Sequence, residues 1–242
     1  MKEKHYNTPK YFLNPLHPIS VDLIGTGGTG SHTLMGLANI SNALKGFGHP
    51  GLQVTAWDND KVESHNVGRQ FFSKPDIGQN KAVCLVTRIN RMYGFQWKAI
   101  PTRYKPDSGS NIVISCVDSI KSRKEIYLHL SRKQTKATDE QRTYYWIDCG
   151  NSKDSGQIII GTLDKSAFKL PHFFDRFPDV KEAPEIHSCS MADSLSRQDL
   201  LINQTMALHC CSMIWRMFRT GKIESAGMYV NHKLYQTSSI PI

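Results

Sequence analysis

Apolar positions along the chain recur with two periods, and the order in which the periods alternate sets the first expectations. Ile19-Ser-Val-Asp-Leu-Ile24 reads as a strand and runs straight into Gly25-Thr-Gly-Gly-Thr-Gly30. From Ser31 to about Lys45 the spacing of Leu34, Leu37, Ala38 and Leu44 predicts a helix with one apolar face. Gly46, Gly48, Pro50 and Gly51 break it, and Leu52 to Trp57 reads as a second strand ending in Asp58-Asn-Asp60. A β–α–β order of this kind argues for parallel strands. A helix from Asn80 to about Met92 follows, then a third strand from Phe95 to Ile100. Asn111-Ile-Val-Ile-Ser-Cys-Val117 is a continuous apolar run, the pattern of a strand buried on both faces. It stops at Asp118, and a basic helix from about Lys121 to Ser131 comes next.

The second half is less regular. Tyr144 to Asp148 and Gln157 to Thr162 read as strands, with a reversal across Gly150 to Gly156. Residues 164–187 carry Pro171, Pro178 and Pro184 among several acids, so a long crossing loop with little regular structure is expected. A strongly apolar helix is predicted from about Ser194 to Arg219, buried or at a subunit interface, and Met228 to Tyr235 reads as a last strand. The whole is expected to be one α/β domain over residues 1–242, long enough to bury a core without disulfides or structural metal.

Composition narrows the class. Hydrophobic residues are 39% and charged residues 21%, an ordinary globular mix. No apolar run approaches the roughly 20 residues that span a bilayer. The polar start Met1-Lys-Glu-Lys-His-Tyr lacks the core of a secretory signal, so a cytoplasmic location is expected. None of the six cysteines forms a C-x-x-C pair, and no zinc is expected. The formal charge is +9, with seven Lys/Arg against three Asp/Glu between Lys121 and Arg142. A basic patch can attract nucleic acid, an acidic protein or a polyphosphate, but taken alone this one reads first as a solvated helix face.

Candidate chemistry gathers after the first strand. Gly25-Thr-Gly-Gly-Thr-Gly30 satisfies G-x-G-x-x-G between a strand and a helix, where positive φ and open helix N–H groups suit a phosphate. In a dehydrogenase, an acid about 20 residues on would bind the ribose. Here Asp58 stands 28 residues past Gly30, and an amide, an arginine and a lysine follow it at Asn66, Arg69 and Lys81. Cations at those positions suit a triphosphate, whose non-bridging oxygens need charge compensation during transfer.

Taken together, Gly25–Gly30, Asp58-Asn-Asp60 with Asn66, Arg69 and Gln70, Gly78-Gln-Asn-Lys81-Ala82, and Cys116-Val-Asp118 with Arg123 resemble the ubiquitin-activating superfamily of ATP-dependent adenylating proteins, the ThiF/MoeB/HesA type. The likeness spans residues 19–123, and within the superfamily the sequence is most similar to the ThiF-family component of bacterial PRTRC gene systems. The resemblance implies a Rossmann-like, doubly wound, mostly parallel sheet with some antiparallel strands in the C-terminal half and a crossover loop at 164–192. It implies that Gly25, Gly27, Gly28, Gly30, Asp58, Asp60, Asn66, Arg69, Gln70, Lys81 and Asp118 bind ATP. Asp58 would meet the ribose hydroxyls, Asn66, Arg69 and Lys81 the phosphates, and Asp118 a Mg²⁺ ion.

The implied reaction is attack of a C-terminal carboxylate on the α-phosphorus of ATP. The implied partner is a small ubiquitin-like β-grasp protein ending in glycine, and the implied assembly a homodimer. Cys189, in His187-Ser-Cys-Ser190, lies where relatives can carry the activated carboxyl on sulfur, and Asp193 suits a helix cap. Three departures stand out: Ser119 where the family often has asparagine, no zinc-binding cysteine pairs, and no arginine in residues 1–68 to reach a partner's site. Lys2, Lys4 or Lys10 would have to substitute for that arginine. A non-catalytic nucleotide- or partner-binding module, and adenylation of a tRNA-attached or small-molecule carboxylate, remain alternatives.

Overall fold

The structure, a computed structural model, describes residues 5–107, 109–132, 138–163, 169–182, 196 and 198–242. In chain order the elements are β1 (Tyr6–Asn7), α1 (Lys10–Leu13), β2 (Ile19–Ile24), α2 (Gly28–Gly46), β3 (Leu52–Trp57), α3 (Lys81–Tyr93), β4 (Lys98–Ile100) and β5 (Ile112–Ser115). They continue with α4 (Ile120–Arg132), β6 (Tyr145–Asn151), β7 (Ser155–Thr162), α5 (Phe173–Arg176), α6 (Ile202–Thr220), β8 (Lys222–Ile223), β9 (Gly227–Asn231) and β10 (Gln236–Ile240). Eight strands form one sheet in the order β10-β9-β7-β6-β5-β2-β3-β4. The run β6-β5-β2-β3-β4 is parallel, and β7, β9 and β10 add to it antiparallel. The expected mixed α/β sheet is therefore present.

Both faces of the parallel part are covered, which is why β5 reads as an unbroken apolar run. Neighbouring residues of β6 show the two layers, because successive strand side chains point to opposite faces. Tyr145 packs on Phe12 (ring centroids 5.5 Å apart), and Phe12 in turn lies 6.0 Å from Phe218 of α6. Trp146 faces the other way, 5.9 Å from both Tyr127 of α4 and Phe174 of α5. On the first face α6 lies against α2, β6 and β7. Its apolar side chains Ile202, Met206, Cys210, Ile214 and Met217 are thus buried within the protein's own core, the first of the two expected fates. No helix among the described residues is long and apolar enough to cross a membrane.

Several boundaries differ from the sequence expectation. Helix α2 starts at Gly28, not Ser31, because the second half of the glycine turn already has helical geometry. Helix α6 starts at Ile202, and residues 198–201 precede it in turn conformation, with the Asp199 carboxylate accepting the Leu201 N–H at 3.0 Å. The third strand shortens to Lys98–Ile100, since Phe95 and Trp97 are taken up by a stack of rings 4.9 Å apart. The reversal between β6 and β7 tightens to residues 152–154. The last expected strand, Met228 to Tyr235, shortens to β9 (Gly227–Asn231), and residues 232–235, with Tyr235 at φ +52°, turn it into a second, mostly exposed strand. Short α5 interrupts the proline-bearing loop.

Helix α2 can lie close to α6 only because Gly36 has no side chain: a Cβ there would strike the Cys211 Sγ. The Cys211 thiol meanwhile donates to the Thr33 carbonyl at 3.6 Å. Gly36→Ala is expected to destabilise the protein by about 1–3 kcal/mol through overpacking, despite alanine's better helix propensity. Urea denaturation should show part of that loss recovered when Cys211→Ala is added.

Candidate functional site

Strand β2 lies between β3 and β5, so the chain leaves β2 toward one side through α2 and returns on the other side at β5. Such a reversal of strand order opens a crevice at the carboxyl ends of the strands. The glycine turn follows β2, Asp58 follows β3 and Asp118 follows β5, so three β–α junctions meet there. Gly25 adopts φ +83°, and a Cβ on it would approach the Cys116 carbonyl oxygen to 2.6 Å. A Cβ on Gly30 would strike the Gly25 carbonyl, and one on Gly28 the Asn203 side chain. Gly27 differs, with no atom nearer than 3.9 Å to such a Cβ. The turn is therefore closed at three of its four glycines, against Cys116, against Asn203 and against itself, and has room at Gly27. No side chain caps the first turn of α2, so its free N–H groups and positive dipole end suit an anion.

The segment after β3 is tied to this turn. Asp58 Oδ2 accepts the Thr26 N–H at 2.6 Å and the Thr26 hydroxyl at 2.9 Å, while its Oδ1 accepts the Asp60 N–H at 2.9 Å. Asp58 thus clamps the glycine turn to the segment after β3 with both of its oxygens. Asn80 adds a second tie: its Oδ1 caps α3 through the Val83 N–H (3.0 Å), and its Nδ2 donates to the Asp58 (2.8 Å) and Asp60 (3.0 Å) carbonyls. Lys81 is 9% exposed, and its Nζ pairs with Asp60 Oδ2 at 3.2 Å. Asn66 is buried and its Oδ1 accepts the Glu63 N–H at 2.8 Å, holding the turn that leads to Arg69. Gln70 lies nearest to Gly27, and its Oε1 is buried with no hydrogen-bond partner among the described residues.

Arg69 is half-buried, and its Nη1 donates to Gln198 Oε1 at 2.8 Å. Burial works against the charge on its guanidinium, and the nearby Asp118 carboxylate works for it. Asp118 itself is exposed at the end of the β5 strand. Ser119, the departure from asparagine, caps α4: its hydroxyl oxygen accepts the Ser122 N–H at 3.1 Å. The N–H groups of Ile120 and Lys121 go to the two carboxylate oxygens of Glu182, at 2.9 and 2.7 Å. A cavity of about 480 Å³ runs beside that contact, between Lys124 and Val180.

The structure draws Gly25–Gly30, Asp58, Gln70, Arg69 and Asp118 around one crevice and sets Lys81 behind Asp60. Arg123 is not part of it. That side chain is buried and its Nε donates to both oxygens of Asp148 at 3.0 Å, beneath the site, where Ser115 Oγ also donates to Asp148 at 2.6 Å. One of the seven basic residues of the 121–142 patch is thereby removed from the surface. His187, Cys189 and Asp193 lie outside the described residues, as do Lys2 and Lys4. Gln198, Asn203 and Glu182 went unread in the sequence, because single amides and acids far apart in the chain carry no spacing signal, and Asn80 was read as a helix start but not as a tie to Asp58 and Asp60. Among the described residues no group of three or more His, Cys, Asp or Glu gathers as a metal site.

A model of the ThiF family matches residues 6–239. The chain belongs to the ThiF family. Among solved structures, PaaA superposes with a TM-score of 0.63 at 14% identity, over 93% of this chain and 64% of that one. Escherichia coli MccB superposes with a TM-score of 0.63 at 15% identity, over 95% of this chain and 63% of that one. MccB with ATP gives 0.60 at 14% identity, over 95% and 64%. This ThiF-family chain therefore spans a little under two thirds of the length of these structural neighbours. No curated protein sequence is significantly similar to it.

In this ThiF-family chain the segment leading to Lys81 depends on an acid that must stay ionised. Burial alone would push the Asp76 carboxyl up, but the Ser73 N–H at 2.7 Å, the Cys84 thiol, the Arg88 guanidinium at 2.6 Å and the Ser73 hydroxyl outweigh it and hold it well below the usual carboxylate range. A carboxyl depressed on folding stabilises fully above its unfolded pKa, near 4. That contribution is lost as pH falls below it toward the folded value. Urea melts between pH 6 and pH 3 should show stability falling below about pH 4, and Asp76→Asn should flatten that part of the profile.

Proposed function

We propose that this ThiF-family protein adenylates a carboxylate with ATP, and that the carboxylate is the C-terminal glycine of a small ubiquitin-like β-grasp protein. The observation that carries the reading is the meeting of Arg69, Asp118 and the uncapped start of α2 at one crevice of the sheet. The family supports it, as do the structures of MccB, a protein of the same fold, with ATP and with MccA.

The turn would cradle phosphate through the N–H groups at the start of α2, where Gly27 leaves room and Gln70 Oε1 waits for a donor. Asp58, already holding the turn with both oxygens, keeps a second lone pair on Oδ1 for a ribose hydroxyl. Asp118, a single exposed carboxylate, fits Mg²⁺, which is commonly held by one or two carboxylates plus substrate phosphates. That ion would supply positive charge to the phosphate oxygens. Arg69 would share the load, and Lys81 would join it on exchanging Asp60 for phosphate.

A carboxylate oxygen attacks the α-phosphorus, the bond from that phosphorus to the bridging oxygen breaks, and pyrophosphate leaves with the electron pair. No general base is needed, since the carboxylate is already ionised at neutral pH. The work is to bring two anions together, which oriented N–H groups and a guanidinium in a partly desolvated site accomplish. Transfer of the acyl group to Cys189 with loss of AMP, a homodimer and a cytoplasmic setting complete the proposal. A module that binds nucleotide without turnover is the second reading, favoured by Lys81 being already neutralised by Asp60.

ATP–pyrophosphate exchange with candidate β-grasp partners separates the two. Exchange is expected, with Asp118→Ala abolishing it and Arg69→Ala lowering it by about 10²–10³-fold, the usual loss of one charge-stabilising donor. Full exchange in Asp118→Ala would remove the metal role, and nucleotide binding with no exchange for any partner would leave the binding module. Cys189→Ala should keep exchange and lose a thiol-sensitive adduct with the partner, read by non-reducing gel electrophoresis.

A further inference from the structure

The side chain that holds Arg69 comes from the far end of the chain, and it is neutral. Gln198 Oε1 accepts from Arg69 Nη1 at 2.8 Å and from Asn203 Nδ2 at 2.9 Å, which fills both of its lone pairs. Asn203 is 3% exposed, and its Oδ1 accepts the Thr29 hydroxyl at 3.1 Å and Asn151 Nδ2 at 2.9 Å. Both amides are therefore fixed in orientation. Turning Asn203 over would set its NH₂ against the NH₂ of Asn151, and turning Gln198 over would set two donors against Arg69 and Asn203. Asn203 also fills the space left by the missing side chain of Gly28. A directed series of hydrogen bonds thus runs from the first turn of α2 and from β6, through the start of α6, to the guanidinium.

We propose that Gln198 and Asn203 are positioning residues that set the Arg69 guanidinium over the glycine turn while leaving its charge free for phosphate. The inference rests on the nucleotide reading above and deepens it. A carboxylate in the place of Gln198 would hold the arginine as firmly but would neutralise it, as Asp60 does for Lys81. A neutral carbonyl occupies one of the five guanidinium donors and leaves others to a ligand, including Nε, which is buried with no hydrogen-bond partner among the described residues. The choice of amide over acid at residue 198 is what the geometry explains.

The test is the affinity for MgATP, measured by titration calorimetry on the full-length protein, with thermal melting to establish that each variant is folded. Gln198→Ala is expected to weaken MgATP about tenfold, the effect of losing one hydrogen bond to a charged group. Gln198→Glu should weaken it further, because the new carboxylate competes with phosphate for Arg69. In an Arg69→Ala background neither change should cause additional loss, an outcome that a merely structural role for Gln198 would not produce. Asn203→Asp, which keeps the shape but replaces the donor facing Gln198, should behave like Gln198→Ala. Gln198→Glu binding as tightly as the parent, or Gln198→Ala losing as much without Arg69 as with it, would overturn the positioning role. If Arg69→Ala weakens binding and Gln198→Ala does not, the positioning proposal alone falls. If Arg69→Ala itself binds MgATP normally, the phosphate role of Arg69 falls and takes this inference with it.

Discussion

The end of β5 and the helix α6 both press on the turn that follows β2, and the rest of the site depends on how little room they leave. The Cys116 carbonyl closes on Gly25, the turn's own Gly25 carbonyl closes on Gly30, and Asn203 closes on Gly28. Of the turn's glycines only Gly27 has room for a side chain, with Gln70 the nearest group at 3.9 Å. Backbone that cannot move and cannot carry side chains presents its N–H groups in fixed directions, which is what binding a highly charged ligand without reorganisation requires. The same crowding brings β5 and α6 against the turn, so Asp118 at the end of one and Gln198 ahead of the other arrive within reach of Arg69.

Charge is handled in three different ways within this small volume. Arg123 and Asp148 are fully enclosed and satisfied by each other and by Ser115, an arrangement in which removing one partner would strand the other. Lys81 and Asp60 form a pair whose acid is largely exposed, so water and ligand can compete for the lysine. Arg69 is half-buried, faces the exposed Asp118 and is held by a neutral amide. The gradient runs from structural pairing below the sheet edge to available charge above it. Glu182 continues it on the far side, where its carboxylate rests on the first N–H groups of α4 and joins the proline-bearing loop to the strand end that carries Asp118.

How much of this was legible depended on whether the information lay in a contiguous stretch. The β2–turn–α2–β3 unit, the buried strand β5 and the amphipathic α3 were readable because each is a local pattern with its own period. Gly25–Gly30, Asp58, Arg69, Gln70 and Asp118 were readable because four motifs stand in order at set spacings. The hairpin strand β10 was not, since Gln236-Thr-Ser-Ser-Ile240 lies at the sheet edge with nearly every side chain in water and shows no apolar alternation. Arg123 was readable as part of a motif but not as a buried pair, because its partner Asp148 lies on the next strand, 25 residues away.

The sequence by itself determined the parallel α/β core, the glycine turn and the positions of the charged residues around it. Those follow from local periodicity and from the steric demands of single residues, which act over a few positions of the chain. Tertiary structure alone decided which charges are free: that Lys81 is paired, that Arg69 is anchored by an amide, and that the apolar helix α6 is consumed by its own core. The reason is distance along the chain. Arg69 and Gln198 are 129 residues apart, and hydrogen-bond direction and burial exist only once the sheet has brought them together.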